Sequence, residues 1–131
     1  MTMPLGRRCA LAVVALVPVG LAACGGDDGG SSTPTAPADA TLTVEALNLK
    51  FDKNAYEVAA GDQLIAYLGL DSQHHTLVVL DGDNKQIGPE AAVDKGEVDT
   101  IDATLTPGDY SLVCTVPGHA AAGMTADLTV T

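Results

Sequence analysis

The sequence predicts an all-β protein, a Greek-key β-sandwich of seven to eight strands. Three observations support this fold class. Short runs of alternating apolar and polar residues recur over residues 41–131, turn-forming Gly, Pro, Asp and Asn residues separate these runs, and no segment shows sustained helical periodicity. The 131-residue chain suffices for one modest domain, and with 47% apolar but 3% aromatic residues its core must consist mainly of aliphatic side chains.

The first predicted strands lie between residues 42 and 70. Alternation over 42–46 changes phase over 47–51, which predicts a β-bulge. It resumes over 56–60, where "AGD" then predicts a turn. Residues 63–70 are almost continuously apolar, as expected for a strand that is buried on both faces.

The second half of the predicted domain begins with a strand over 75–80, followed by a "DGDN" turn. The pattern over 85–95 is weak and predicts at most one helical turn after Pro89, whereas 96–103 is compatible with an edge strand. After the "TPGD" turn a strand runs from Tyr110 to Cys114, with Tyr110 in a structural role at its start. The last strand, 124–130, directs Ala126, Leu128 and Val130 inward.

The N-terminal segment has the features of an export signal. Two arginines at 7–8 precede an apolar run over 9–20 that is too short to span a membrane, and "LAAC" at 21–24 resembles a bacterial lipobox. The resemblance implies a lipoprotein signal peptide over 1–23 and a lipid on Cys24. We therefore expect the protein to be anchored to the outer face of the cytoplasmic membrane or to lie in the periplasm. The alternative is an ordinary signal peptide, which would leave Cys24 free.

Residues 24–40, rich in Gly, Ser, Pro and Asp, are expected to form a flexible tether to the domain at 41–131. After cleavage, four lysines face all 17 acidic residues, so nucleic acid is a very poor partner. The acidity either keeps a monomeric domain soluble or steers basic partners towards it, and charge alone does not distinguish these roles.

Cys114 has no cysteine partner in the predicted mature domain, because Cys9 leaves with the signal and Cys24 carries the lipid. A lone thiol in an oxidising compartment is a liability unless it is buried or coordinated. The thiol is expected to face inward at the end of its strand. The loop "TVPGHAAAG" must then return to the neighbouring strand, which brings Met124 close to Cys114 and places His119 between them.

Thiolate, imidazole and thioether groups are the donors of blue copper electron-transfer sites, which hold two His, one Cys and a distant Met. "SQHHTLVV" at 72–79 supplies the missing histidine, at the start of a buried strand.

The pattern Cys-x4-His-x4-Met before a strand, together with an upstream His-Thr-apolar strand, resembles the cupredoxins, the family of plastocyanin and azurin. The resemblance covers 41–131 and implies a cupredoxin-like fold that binds one type 1 copper ion. It assigns Cys114, His119 and Met124 as ligands. It also favours His75, since the family has a small polar residue after this histidine, and we expect His74 to face solvent because adjacent strand residues point to opposite faces.

The same comparison suggests that Thr76 and Thr115 join the two ligand loops through a side-chain hydrogen bond, which would orient the metal ligands. The alternative is that both are ordinary strand threonines.

The resemblance implies a one-electron carrier that docks redox partner proteins of the cell envelope near His119, where Gly118 and Ala120–Ala122 permit close approach. A copper storage, sensing or delivery module would need the same ligands. An enzyme is not expected, because copper oxidases and nitrite reductases need a second copper centre and the chain has only three histidines.

Overall fold

The computed structural model describes residues 33–131, which fold into two β-sheets packed face to face. The predicted signal peptide, Cys24 and the first part of the predicted tether lie outside the described residues. Nine strands form in the described part of the chain: β1 (Leu42–Leu47), β2 (Lys50–Phe51), β3 (Ala55–Val58), β4 (Gly61–Gly69), β5 (His75–Leu80), β6 (Gln86–Val93), β7 (Val98–Leu105), β8 (Gly108–Val113) and β9 (Thr125–Val130).

The first sheet has the strand order β2-β1-β4-β7 and the second has the order β3-β9-β8-β5-β6. Pairing is antiparallel except for β1 with β4 and β3 with β9, which are parallel. The chain passes repeatedly from one sheet to the other, so the predicted Greek-key β-sandwich is confirmed. Within residues 33–131, no helix is long and apolar enough to cross a membrane.

Period-two alternation builds the core, because successive side chains of a strand point to opposite faces. In β9, Ala126, Leu128 and Val130 are buried while the intervening residues are exposed, as predicted. Both sheets contribute fully buried side chains to one cluster. Its members with no exposed surface include Val44, Ile65, Tyr67, Ile101, Leu77, Val79, Val93, Leu112 and Leu128.

The phase change in the first strand region results from a tight turn, so the predicted bulge is wrong. Asn48 and Leu49 both have left-handed backbone conformations, with φ of 54° and 58°. Two consecutive residues of this kind are typical of a two-residue hairpin turn, and Leu47 pairs with Lys50 across it. A two-residue turn shifts the alternation in the same way as a bulge does, and Leu49 is a poor turn signal.

The helical turn predicted after Pro89 is also wrong, because this segment forms β6. Proline cannot donate a hydrogen bond and is tolerated in edge strands and at irregularities. β6 is at the edge of its sheet and its pairing with β5 shifts register between Leu77 and Val79, while Gly88 has a φ of 80°. The predicted edge strand after it is confirmed as β7.

Tyr110 has the structural role predicted for it. Its hydroxyl donates to the carbonyl of Thr106 at 3.0 Å and accepts from the amide of the same residue at 3.2 Å. These two bonds stabilise the turn between β7 and β8, and thereby the start of the strand that leads to Cys114.

Substitution of Gly69 by alanine should destabilise the sandwich. Gly69 ends β4 and exchanges backbone hydrogen bonds with Glu97 and Gly96, and an added Cβ would overlap the carbonyl oxygen of Asp94. We expect Gly69→Ala to lower the free energy of unfolding of the metal-free protein by about 1–3 kcal/mol in urea denaturation. The matched control is Gly82→Ala, whose Cβ would meet nothing within 4 Å and should cost less than about 0.5 kcal/mol. Equal losses in the two variants would contradict this account.

Candidate metal centre

The four sequence-predicted ligands lie at one end of the sandwich. His75 begins β5, Cys114 follows β8, His119 lies in the next loop, and Met124 immediately precedes β9. β5 and β8 are antiparallel, with Val78 opposite Val113. The start of β5 and the end of β8 therefore lie side by side at the same end of the sheet. One donor atom each from His75, Cys114 and His119 lie within 4.8 Å of one another.

Backbone hydrogen bonds close the loop that carries three of these residues. The amide of Cys114 donates to the carbonyl of Met124 at 3.2 Å, and the amide of Met124 donates to the carbonyl of His119 at 3.0 Å. Gly118 and Gly123 have φ angles of 86° and 106°, so the chain can reverse at both positions without side-chain strain. The predicted proximity of Cys114 and Met124 is therefore confirmed.

The thiol of Cys114 is buried, with 1% of the residue's surface exposed, and it has no disulfide partner within residues 33–131. Its Sγ lies 3.5 Å from Nδ1 of His119. The ring centroids of His75 and His119 are 5.1 Å apart with planes inclined at 58°, so the two imidazoles approach each other beside the sulfur. Met124, whose amide bonds to the carbonyl of His119, is fully buried.

His75 is held in one orientation and one tautomer. Its Nε2 lies 2.8 Å from Oδ1 of Asp71, and an ionised carboxylate can only accept, so the ring proton is on Nε2. Nδ1 then carries a free lone pair. This atom is buried without a hydrogen-bond partner among the described residues, which would cost about 1–3 kcal/mol in an ordinary core. A nitrogen left in this way fits a metal ligand.

Asp71 is in turn fixed by the backbone around it. Burial by itself would raise its pKa, but hydrogen bonds from the amides of Gln73 and Asn48, and from His75, hold the pKa of this carboxyl below its ordinary value. The distances from the two amides are 2.9 Å and 2.6 Å. Since Asn48 belongs to the β1–β2 turn, that hairpin supports the carboxylate that orients His75.

His74 points away from the cluster, as the strand alternation predicts. Its side chain is 55% exposed, and its Nδ1 pairs with Oδ1 of Asp94 at 3.0 Å. Of the two adjacent histidines, only His75 therefore enters the candidate centre.

The hydrogen bond expected between Thr76 and Thr115 is present. Their hydroxyl oxygens are 2.7 Å apart, and the amide of Thr115 donates to Oγ1 of Thr76 at 2.8 Å. Oγ1 of Thr76 also lies 3.6 Å from Sγ of Cys114. The two ligand loops are thus joined directly beside the sulfur.

Sequence reasoning missed Tyr67 and Asp71. Tyr67 in β4 donates its hydroxyl to the carbonyl of Thr76 at 3.1 Å, which links the first sheet to the start of β5. Burial, together with nearby Cys114 and Asp71, raises the pKa of Tyr67 well above its usual range, so this group stays a donor. A tyrosine within an apolar strand signals a need for such a partner. The signal for Asp71 was its position in the loop just before the histidine pair.

A buried thiol, two imidazoles and a nearby methionine form a set of soft and borderline donors that suits copper in the type 1 arrangement. The free Nδ1 of His75 and the position of Cys114 Sγ beside His119 Nδ1 show that the residues present fit this ion.

Alanine substitution of the two adjacent histidines should have opposite outcomes. His75→Ala removes the oriented Nδ1 and should weaken copper binding by more than about 100-fold, beyond the effect of changes outside the ligand set. His74→Ala, the matched control, should bind copper like the wild type, because its side chain faces solvent. Competition with a chromogenic copper chelator measures both affinities, and similar losses in the two variants would contradict the assignment of His75.

Removal of the Asp71 carboxylate should weaken copper binding although all four ligands remain. Asp71→Ala leaves Nε2 of His75 and two backbone amides without their acceptor, so we expect a copper affinity lower by about 10–100-fold. The same variant should lower the free energy of unfolding of the metal-free protein by about 1–3 kcal/mol in urea denaturation. Asp83→Ala, at an exposed turn position, is the control and should change neither quantity.

Comparisons with known proteins agree with this geometry. A family model described as copper binding proteins, plastocyanin/azurin family, matches residues 38–131. A comparison with curated protein sequences finds no match. The fold is similar to that of reduced auracyanin from Roseiflexus castenholzii, at 24% identity over 78% of this chain and 99% of that chain, with a TM-score of 0.62.

Auracyanin A from Chloroflexus aurantiacus, titled a "blue" copper protein, is 21% identical over 68% of this chain and 96% of its own, with a TM-score of 0.58. A reduced mutant of amicyanin is 18% identical over 79% of this chain and 95% of its own, with a TM-score of 0.56. At these identities the solved structures support the fold alone. The family model supports membership of the family, because it matches most of the chain. The protein therefore belongs to the plastocyanin/azurin family of copper-binding proteins.

Proposed function

We propose that this protein is a one-electron carrier built around a single type 1 copper ion. The observation that carries the proposal is the buried cluster of His75, Cys114 and His119, in which Nδ1 of His75 is oriented and unpartnered. Copper bound there would supply a Cu(II)/Cu(I) couple.

The protein holds its donor groups in place through its own hydrogen bonds. Asp71 orients His75, Thr76 joins the two loops, and the backbone bond from Cys114 to Met124 closes the ligand loop. Donors that are already positioned move little when the charge of the centre changes, so the structural rearrangement that accompanies each electron transfer is small. Burial of Cys114 and His75 also keeps water from the sulfur and the ring.

Redox partner proteins of the cell envelope are proposed to dock near His119. This residue is half-buried, and Gly118 and Ala120–Ala122 beside it have little or no side chain. A partner can therefore approach the imidazole closely. The excess of acidic residues favours partners with a basic docking face, which long-range attraction would steer towards the domain.

An enzymatic role is not proposed. The chain has three histidines, of which His75 and His119 belong to the cluster and His74 is exposed. Too few histidines remain for the second copper centre of an oxidase or nitrite reductase.

Export and lipid attachment at Cys24 are proposed from the "LAAC" motif. A monomeric domain on the tether of residues 24–40 would then work at the outer face of the cytoplasmic membrane or in the periplasm, within reach of membrane-bound partners.

The purified protein loaded with Cu(II) should be intensely blue and should show a reversible one-electron couple in voltammetry. The colour arises from the bond between copper and the thiolate, so Cys114→Ser should abolish it, whereas Asp83→Ala should retain it. A copper-loaded wild type that is colourless would contradict the proposal.

The exchange kinetics distinguish electron transfer from copper handling. Fast electron self-exchange with slow loss of Cu(I) is expected for a carrier. Rapid transfer of Cu(I) to an acceptor chelator, with slow self-exchange, would instead indicate copper storage or delivery.

A further inference from the structure

A chain of hydrogen bonds connects an exposed carboxylate to the buried sulfur of Cys114. On β6, Oε2 of Glu90 accepts from the hydroxyl of Thr115 at 2.7 Å. Oγ1 of Thr115 lies 2.7 Å from Oγ1 of Thr76, which in turn lies 3.6 Å from Sγ of Cys114. Glu90 is separated from Thr115 by 25 residues and carries no sequence signal of a role at the centre.

The carboxylate sets the direction of every hydrogen bond in this chain. A hydroxyl has one hydrogen, and an ionised carboxylate can only accept. Thr115 therefore donates its hydroxyl hydrogen to Glu90 and must accept from Thr76. Thr76 donates its own hydroxyl hydrogen to Thr115, so it has no hydrogen to donate to the sulfur of Cys114.

The remaining contacts of Thr76 agree with this direction. Its oxygen has two lone pairs, of which one accepts from the backbone amide of Thr115 at 2.8 Å. The other faces Cys114, whose thiol can donate to it in the metal-free protein. Once the sulfur is deprotonated, it faces an oxygen lone pair and receives no hydrogen bond from Thr76.

We propose that Glu90 is a positioning residue for the metal centre, which withholds the Thr76 hydrogen from Cys114 Sγ and so lowers the reduction potential. The inference rests on the proposed electron-transfer function. The reduced centre carries one more electron than the oxidised one, so a donor hydrogen directed at the sulfur stabilises the reduced form. Hydrogen bonding around the cysteine sulfur is one of the means by which such potentials are set.

Glu90→Gln tests the proposal with little change in size. The neutral amide can turn its NH₂ group towards Thr115. The thiolate of Cys114 is then the only anionic acceptor in this series of hydrogen bonds. All the hydrogen bonds then reverse, Thr76 donates to the sulfur, and the reduction potential rises.

Loss of a negative charge raises the potential as well, so a double-mutant cycle must separate the two effects. Thr115→Val cuts the chain but leaves the charge of residue 90 in place. Glu90→Gln should raise the reduction potential more in the wild type than in the Thr115→Val protein. The difference between the two shifts should be about 59 mV, which for one electron corresponds to a tenfold change in the oxidised-to-reduced ratio. Thr115→Val alone should also raise the potential, because it frees the Thr76 hydrogen.

The metal-free protein provides a second readout. The proteins compared all carry His119→Ala, because Nδ1 of His119 lies 3.5 Å from Sγ and is a second acceptor for the thiol. With Glu90 in place the Cys114 thiol then donates to Thr76, so its infrared S–H stretching band should be single and shifted to low frequency. In Glu90→Gln both directions of the chain are available, and a second band at higher frequency should appear. In Thr76→Val the band should move entirely to the position of a free thiol.

The outcomes separate this inference from the function on which it rests. Equal potential shifts for Glu90→Gln in both backgrounds, or an unchanged S–H band, would overturn the role of Glu90 while a blue, reversible wild type upholds the electron carrier. A wild type without a reversible couple would overturn the proposed function, and with it the redox role of Glu90, whatever the infrared spectra show.

Discussion

The metal centre depends on the hydroxyl group of Thr76, which joins two distant parts of the chain beside the sulfur of Cys114. It accepts from the amide of Thr115 and contacts both the Thr115 hydroxyl and Cys114 Sγ, across separations of 38 and 39 residues. Without this junction, the histidine of one loop and the cysteine of the other would be related only through strand pairing. With it, their distance is set by short hydrogen bonds between the buried Thr76 and the exposed Thr115, in a partly buried environment.

A second series of contacts fixes the other side of the centre. The β1–β2 turn presents the amide of Asn48 to Asp71, and Asp71 fixes the tautomer of His75. Tyr67 adds a contact from β4 to the backbone of Thr76. His75, the ligand on β5, and the backbone of Thr76 beside it are thus held from the opposite sheet and from a hairpin, so the precise geometry of the site depends on the whole sandwich.

Much of the fold could be predicted because strand periodicity is local. The strands expected over 63–70 and 124–130 correspond to β4 (Gly61–Gly69) and β9 (Thr125–Val130), because burial on one or two faces places apolar residues at regular positions in the sequence. The errors occurred where two structures give the same pattern. A two-residue turn and a bulge both shift the phase of alternation, and Pro89 indicates an end of regular structure unless the strand is known to lie at an edge.

The amino-acid order by itself determined the ligand types and their spacing in the loop from Cys114 to Met124, which follow from donor chemistry and loop closure over a few residues. The alternation of one strand showed that only one of His74 and His75 can enter the site, and the resemblance to the cupredoxins favoured His75. Only the tertiary structure decided that Asp71, Tyr67 and Glu90 support the centre, because their contacts depend on the turn before β5, on the packing of one sheet against the other, and on the position of β6. A carboxylate 25 residues from its partner leaves no periodic trace in the sequence, and its role becomes visible only when folding brings it within hydrogen-bond distance.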